Sequence, residues 1–519
     1  MASDTKDKDT QESPATVQFT PSSTEEQKLF EQVENEVKFG IIFNIFIGYP
    51  IILIFLIYTF YKICTCYVPY CFIDEKFHVT QTIKYIEGQW KSWDPKITTP
   101  PGLYILGWLN YKIFKSILHL DWSTLTILRL VNLFGGCFIW PIFVLRPIYL
   151  FNALSFWPVT LVCFPLMATY YSLYYTDVWS SIIITAALAT VISLPFGETG
   201  SIWFSSFLCF ISLFFRQTNI IWNLFIMVLV IERRAIIQRN FNTVKVNNYL
   251  KLIIHSIESF SQLCLPYIIN MVLFLIFVIY NGSLTLGDKQ NHVAGFHVVQ
   301  LFYCYTFMTF FSLPLWISRQ HLLNYATRFF NSKRWIFEFI GIIIIIKYFT
   351  VTHPFLLADN RHYTFYIFKK IFGKDKKIYK YFFCPIIYHF SIFTIHNLIE
   401  PSIMKFHSYL PIEVKEPIEL PSQLTHISFT TLMLCTFLTT TPSPLFEPRY
   451  YILPYVFWRV FVTTPFDSFW QLNSIRLTNR MRLVMEFLWF ILLNVVTYLV
   501  FIKYEFTWDT EKFPQRIIW

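Results

Sequence analysis

Residues 40–63 read GIIFNIFIGYPIILIFLIYTFYKI, and residues 72–102 read FIDEKFHVTQTIKYIEGQWKSWDPKITTPPG. The first stretch is almost wholly apolar and meets the ~20 residues a helix needs to cross a ~30 Å hydrocarbon core. The second follows at once and carries paired carboxylates, a histidine, Trp90 and Trp93, and a Thr-Thr-Pro-Pro-Gly turn. A chain that leaves a membrane and immediately presents such groups points to a site at the membrane surface. Apolar runs recur near 124–145, 150–170, 178–195, 202–215, 219–232, 262–281, 296–316, 335–351, 379–397, 427–441, 450–464 and 483–502. Together with 40–63 they predict about 13 transmembrane helices, several of them short, in an all-α polytopic membrane protein.

Composition supports this. The 519 residues are 55% hydrophobic, 20% aromatic and 14% charged, with a mean hydropathy of +0.47. A soluble domain carries about 25% charged residues, so most of this surface cannot face water. The net charge of +10 is not a nucleic-acid signal here, because the Lys and Arg lie mostly between apolar runs and report topology. Most of the ten cysteines stand singly inside apolar segments, as Cys163, Cys209 and Cys435 do, and read as small packing residues. Cys64, Cys66 and Cys71 cluster near one membrane edge, where an oxidising compartment permits a disulfide. No Cys/His spacing suits zinc. Residues 1–36 are polar and lack the apolar core of a signal peptide, so they read as a disordered cytosolic tail. Residues 37–508 form the multi-span domain, with a long first loop over about 64–123 that carries surface helices, and 509–519 form a short luminal tail.

The loops fall into two sets. Segments 232–251, 318–334 and 473–482 are basic, and a cytosolic N-terminus puts all three on the cytosolic side. The opposite set contains the 64–123 loop, YYTDVW (174–179), RQTN (216–219), GDKQNH (287–292), THPFLLADNRHY (352–363) and LFEPRYY (445–451). Only the basic stretch 369–377 runs against this scheme. A transporter would show ionisable groups at mid-membrane or at interrupted helices; here the distinctive residues gather in loops on one face.

In the first of these loops Asp74, His78, Gln81 and Tyr85 recur at helical spacing and form one polar stripe. It suits either the solvated face of a helix lying on the membrane or a substrate-facing surface. Asp74 and Glu75 stand together at the membrane exit, where a carboxylate can act as general base on a sugar hydroxyl. Trp90 and Trp93 serve equally as headgroup anchors or as flat faces for a sugar. Asp94 and Lys96 continue that loop as candidate substrate contacts. Arg216 with Gln217, Asp359 with Arg361 and His362, and Glu447 with Arg449 stand in the later loops. Three arginines approaching from one face suit a phosphate, although each alone is equally an interfacial side chain snorkelling to headgroups. His292 and His297 flank Gly295 without a third ligand, so they read as hydrogen-bonding groups for a phosphate or sugar, not as metal ligands. There is no Walker A loop, GxGxxG or HExxH, which argues against a nucleotide donor held by such a motif. The Asn281 sequon lies too close to a span for expected use.

FIDEKFHVTQTIKYIEGQWKSWDPKITTPPGLY, FFRQTNIIW, GDKQNH, HPFLLADNRHYTFY and EPRYYILPY together resemble the endoplasmic-reticulum alpha-1,2-glucosyltransferases that add the third, terminal glucose to the dolichol-linked oligosaccharide. The resemblance runs in order over about residues 70–460. It implies a GT-C-type fold in the endoplasmic reticulum membrane with a luminal active site, dolichyl-phosphate-glucose as donor, and a diglucosylated dolichol-diphosphate oligosaccharide as acceptor. It implies inversion at the transferred carbon, and an acidic residue from the first luminal loop, matched here by Asp74 and Glu75. A lipid monophosphate donor does not demand a divalent cation, so no metal and no other cofactor is expected. A dolichyl-phosphate-mannose mannosyltransferase of the same fold is one alternative; a membrane transporter or channel-modulating subunit, which has no need of Asp74, is another.

Overall fold

The computed structural model describes residues 42–150, 157–237, 247–289, 295–350, 354–371, 377–400, 424–443, 445–462, 479–509 and 511–519. The tail 1–36 and His292 lie outside them. A helix occupies each apolar stretch read from the sequence. Among the described residues, four helices are long and apolar enough to cross a membrane: Phe46–Tyr67, Thr124–Ile148, Tyr379–Ile399 and Met481–Lys503. Asp177–Ser193, Leu265–Asn281, Val299–Phe311 and His426–Thr440 are apolar but shorter. Proline accounts for one break. The 150–170 stretch divides into Trp157–Val162 and Pro165–Tyr170, with Phe164 at ψ 120° between them, because the residue before proline is driven out of the helical region.

The outside of this helical assembly is apolar. Phe46 is 72% exposed, Ile54 70%, Ile279 71% and Phe337 76%, values that water penalises and lipid tails do not. Inside, one large apolar cluster joins most helices. A smaller cluster of Val79, Ile97, Leu103, Tyr104, Leu128, Val131 and Tyr174 lies under the first long loop.

That loop is built on two helices, Glu75–Ile86 and Gly102–Lys112. Gly107 lets them pack closely with Tyr174 between them; a Cβ there would fall 3.0 Å from Thr82 Cγ2 of the first helix and 2.0 Å from the Tyr174 hydroxyl oxygen. The polar stripe read from the sequence faces inward, not toward water. His78 Nδ1 lies 2.9 Å from the Tyr104 hydroxyl. Gln81 Nε2 donates to the Ser92 carbonyl at 2.7 Å, and its Oε1 accepts the Asp94 amide at 3.0 Å. Lys76 and Thr80 take the exposed face instead. His78 and Gln81 can bury because each finds a polar partner in the neighbouring helix or loop, while Asp74 at the head of the stripe stays half-exposed.

All ten cysteines are free thiols. Cys64 is buried, with Arg129 Nη1 3.9 Å from its Sγ, while Cys66 and Cys71 are exposed. Among the described residues the only strands are Glu505–Phe506 and Gln515–Arg516, an antiparallel pair near the C-terminus.

Candidate active site

The two adjacent carboxylates part company at the start of the Glu75–Ile86 helix. Ile73 has φ +53°, a left-handed conformation that is strained for a β-branched residue. Beyond this reversal Asp74 caps the helix start, its side chain 43% exposed. Its amide N–H donates to the Tyr175 hydroxyl at 3.2 Å.

Glu75 turns into the protein and is fully buried. Arg129 grips it with two bonds, Nε to Oε1 at 2.9 Å and Nη2 to Oε2 at 2.6 Å. The amides of Phe72 and Tyr174 donate to it at 2.9 and 2.7 Å. Arg129 spends its remaining donors on the Val68 and Tyr70 carbonyls at 2.8 and 3.0 Å. Glu75 is therefore held away from any surface a substrate reaches, and its place is that of a tie between the loop and the Thr124–Ile148 helix. The structure therefore separates it from Asp74, the carboxylate with which the sequence grouped it.

Asp74 opens into a cavity of about 400 Å³ shared with Tyr170, Tyr175, Asp359, Arg361, His362, Glu447, Arg449, Trp508 and Trp519. Arg449 Nη1 stands 3.6 Å from Asp74 Oδ2, and its Nε contacts the Glu447 carboxylate closely. Burial pushes Glu447 upward, but the Arg449 charge outweighs it and holds the carboxyl below its ordinary value. Arg361 is more fully engaged. Its Nε and Nη2 donate to Asp359 at 2.9 and 2.6 Å, and Nη1 donates to Gln515 at 3.0 Å. Burial raises Asp359 less than the Arg361 bonds lower it, so it also lies below its ordinary value. His362 Nδ1 is 2.9 Å from the Trp519 carbonyl oxygen.

A second cavity, of about 390 Å³, adjoins the first, with Arg449 in the wall common to both. Much of its lining is apolar: Ile220, Ile221, Trp222, Phe274, Leu284, Leu438, Ile452 and Leu453. Its polar side holds Thr98, Asp177, Arg216 and Gln217. Arg216 Nη2 donates to Asp177 Oδ1 at 2.6 Å, while Arg216 Nε and Asp177 Oδ2 are buried with no hydrogen-bond partner among the described residues. The guanidiniums of Arg216 and Arg449 lie 5.5 and 6.0 Å from the centre of the same Tyr450 ring. Gln217 Nε2 donates to the Thr98 carbonyl at 2.8 Å. The pair of chambers can hold an apolar chain in one, a hydroxyl-rich group near a carboxylate in the other, and an anion between them.

Five of the remaining sequence candidates line neither chamber. His78 is buried, and desolvation pushes its imidazole down to about 4, so it is neutral at pH 7. Trp93 packs edge-on to Tyr104 at 5.7 Å. Asp94 Oδ1 accepts the Lys96 amide at 2.9 Å, and Lys96 Nζ lies 5.7 Å from the Phe77 ring centre. These three shape the turn that supports the Glu75–Ile86 helix. His297 donates its amide N–H to the Thr441 carbonyl at 2.9 Å, and its ring lies against Gly295. Conversely, Tyr170, Tyr175, Asp177, Trp508 and Trp519 line the chambers without having been singled out. Asp177 had one legible signal, a carboxylate at the very edge of an apolar run. The two tryptophans had none. Among the described residues no group of three or more His, Cys, Asp or Glu is arranged to hold a metal ion.

No solved structure matches the chain. A family model described as the DIE2/ALG10 family matches residues 68–460. A Kluyveromyces lactis protein named Dol-P-Glc:Glc(2)Man(9)GlcNAc(2)-PP-Dol alpha-1,2-glucosyltransferase is 55% identical, over 96% of this chain and 94% of its own length. A Candida glabrata protein of the same name is 54% identical over 95% of each chain. A Homo sapiens protein of that name is 30% identical over 86% of this chain and 93% of its own. The family match begins where the first membrane helix ends and runs through the segment that carries Arg449, so it takes in most of both chambers: the chain belongs to the DIE2/ALG10 family.

Proposed function

We propose that this protein is a glucosyltransferase that moves glucose from dolichyl-phosphate-glucose to a dolichol-diphosphate oligosaccharide already carrying two glucoses, forming the terminal alpha-1,2 bond. The near-full-length relatives of that name support the activity. The observation that carries the mechanism is the junction of the two chambers at Arg449, 3.6 Å from Asp74. The mostly apolar chamber takes the lipid end of the donor. Its phosphate lies toward Arg449 and the unpartnered Nε of Arg216. The acceptor enters the chamber that Asp74 lines.

Asp74 accepts the proton of the acceptor 2-hydroxyl as that oxygen attacks C1 of the glucose. The bond from C1 to the phosphate oxygen breaks on the far side, and its electron pair leaves with dolichyl monophosphate. A single displacement inverts the carbon and needs a base on one face and charge stabilisation on the other. Arg449 and Arg216 supply the latter. Arg361, whose donors are committed to Asp359 and Gln515, shapes the wall. Arg216→Ala is expected to raise the donor KM; a defect confined to the acceptor would overturn this assignment.

The same reading makes the protein a GT-C enzyme of about 13 spans in the endoplasmic reticulum membrane, with both chambers toward the lumen. The basic segments around 232–251 and 318–334 support that orientation. The test is to incubate the purified protein with the diglucosylated acceptor and either dolichyl-phosphate-glucose or dolichyl-phosphate-mannose. Mass spectrometry and linkage analysis are expected to find one added alpha-1,2 hexose with the glucose donor alone. Transfer of mannose, or no transfer, would refute it.

A further inference from the structure

Part of the wall of the Asp74 chamber comes from beyond the family match, from residues 505–509 and 511–519. This segment is no frayed terminus, because it is tied on three sides. Arg516 Nη1 donates to the Phe501 and Ile502 carbonyls at 3.0 and 2.8 Å, fixing it to the end of the last helix. The Tyr70 hydroxyl donates to the Pro514 carbonyl at 2.8 Å, the Tyr70 ring stacks on Phe513 at 4.3 Å, and Lys76 pairs with Glu511 at 3.3 Å. These contacts fix it to the loop that bears Asp74. On the third side the Ile518 amide donates to the Arg361 carbonyl at 2.7 Å, and the Tyr363 amide donates to Ile518 at 3.1 Å. The hairpin thus spans from one wall of the chamber to the other.

Two indoles of this segment line the chamber. Trp519 packs on Tyr363 and Phe311, with ring centres 4.9 and 5.9 Å away, and serves the core. Trp508 differs. Its Nε1–H donates to Asn360 Oδ1 at 3.0 Å, and the Arg361 guanidinium lies 4.5 Å from its ring centre. The ring is held in place, and its only polar hydrogen is already used. What it offers the chamber is carbon surface, beside the hydrogen-bonding groups of Asp74, Asp359 and His362. An apolar face ringed by polar groups matches a pyranose, whose C–H face packs on an aromatic ring while its hydroxyls turn to the rim.

We propose that the C-terminal hairpin is a wall of the acceptor site and that Trp508 is the platform on which the acceptor's terminal glucose rests. This rests on the glucosyltransferase reading above. The choice of acceptor over donor follows from Asp74, which lines the same chamber and must reach the attacking hydroxyl.

The experiment uses full-length Trp508→Ala, Trp508→Leu and Trp508→Phe with both natural lipid substrates, measuring kcat and each KM beside the thermal midpoint. Trp508→Ala and Trp508→Leu are expected to raise the acceptor KM about tenfold, the loss of roughly one anchoring contact. The donor KM should stay within about twofold, and Trp508→Phe should recover most of the loss. An unchanged acceptor KM, a defect in the donor alone, or equal behaviour of Leu and Phe would overturn the proposal. Oxidative labelling of the wild-type protein gives an answer even if the variants do not fold. The acceptor should protect Trp508, and the donor alone should not; no protection by acceptor refutes the platform. If wild-type protein transfers no glucose, the functional reading fails; if it transfers glucose while Trp508 is indifferent, only the platform fails.

Discussion

Asp74 lies 3.6 Å from Arg449 at the edge of a polar chamber, while the next residue is locked on Arg129. Their substitutions should therefore fail differently. Asp74→Asn is expected to cut turnover by roughly 10²–10⁴-fold, the size of a lost general base, with normal protein level and unfolding midpoint. Near-normal turnover would remove Asp74 from the mechanism. Glu75→Gln leaves Arg129 buried with its charge uncompensated, at a cost on the order of 3–5 kcal/mol. It should reduce folded protein first, read as yield and thermal midpoint in detergent. His78 adds a pH dependence. Its folded value of about 4 lies below the ordinary 6.5 because burial disfavours the cation. Between those values the unfolded chain binds a proton that the folded chain refuses, so stability falls as pH drops through that window. Glu447 and Asp359, held below their ordinary values, lose their contribution only at still lower pH. Wild type should therefore lose stability more steeply from pH 6.5 to 4.5 than His78→Asn, by about 2 kcal/mol at 1.4 per unit, read as a steeper fall in thermal midpoint. Parallel curves would contradict the neutral buried imidazole. The sequence pairs Asp74 with Glu75 and cannot separate them, because the difference lies in what each carboxylate meets after one left-handed residue.

At the scale of elements, the helix Glu75–Ile86 was legible by its spacing, but its orientation was not. Period 3.6 identifies a stripe; it does not say whether the stripe meets water or another helix. Here the helix Gly102–Lys112 supplies Tyr104 to His78, and the turn after Ile86 supplies Ser92 and Asp94 to Gln81. Gly107 permits that approach. Gly107→Ala would thrust a methyl group into the Tyr174 hydroxyl, which itself donates to the Leu103 carbonyl at 2.7 Å. Overpacking of this kind typically costs 1–3 kcal/mol. The thermal midpoint should fall by several degrees, on the order expected for that energy. An unchanged midpoint would mean the two helices are not in this contact. The apolar runs were likewise legible as helices, while their interruptions, such as that at Phe164 before Pro165, needed the backbone.

For the molecule as a whole, two chambers meet at one arginine; both carry charged side chains, and the one beside Arg216 has the larger apolar lining. Arg449 and Arg216 bring positive charge to the junction without an ion, so transfer is expected to be metal-independent. Activity should survive EDTA at millimolar excess; loss of activity restored by Mn²⁺ would contradict it. The amino-acid sequence by itself determined that this chain is a helical membrane protein, because composition and the length of apolar runs set how much surface must avoid water. It also carried the family resemblance, and the expected alternation of loops between spans predicted one shared face for Asp74, Arg216, Asp359, Arg361, Glu447 and Arg449. Tertiary structure alone decided which of these meet. Glu75 is buried on Arg129, and His78, Trp93, Asp94 and Lys96 line neither chamber. Trp508, Ile518 and Trp519 reach the chamber from far along the chain. Such pairings join segments whose separation runs from 26 residues, for His78 with Tyr104, through 54, for Glu75 with Arg129, to 444, for Tyr70 with Pro514, and no local periodicity or spacing encodes the distance between two side chains that only packing brings together.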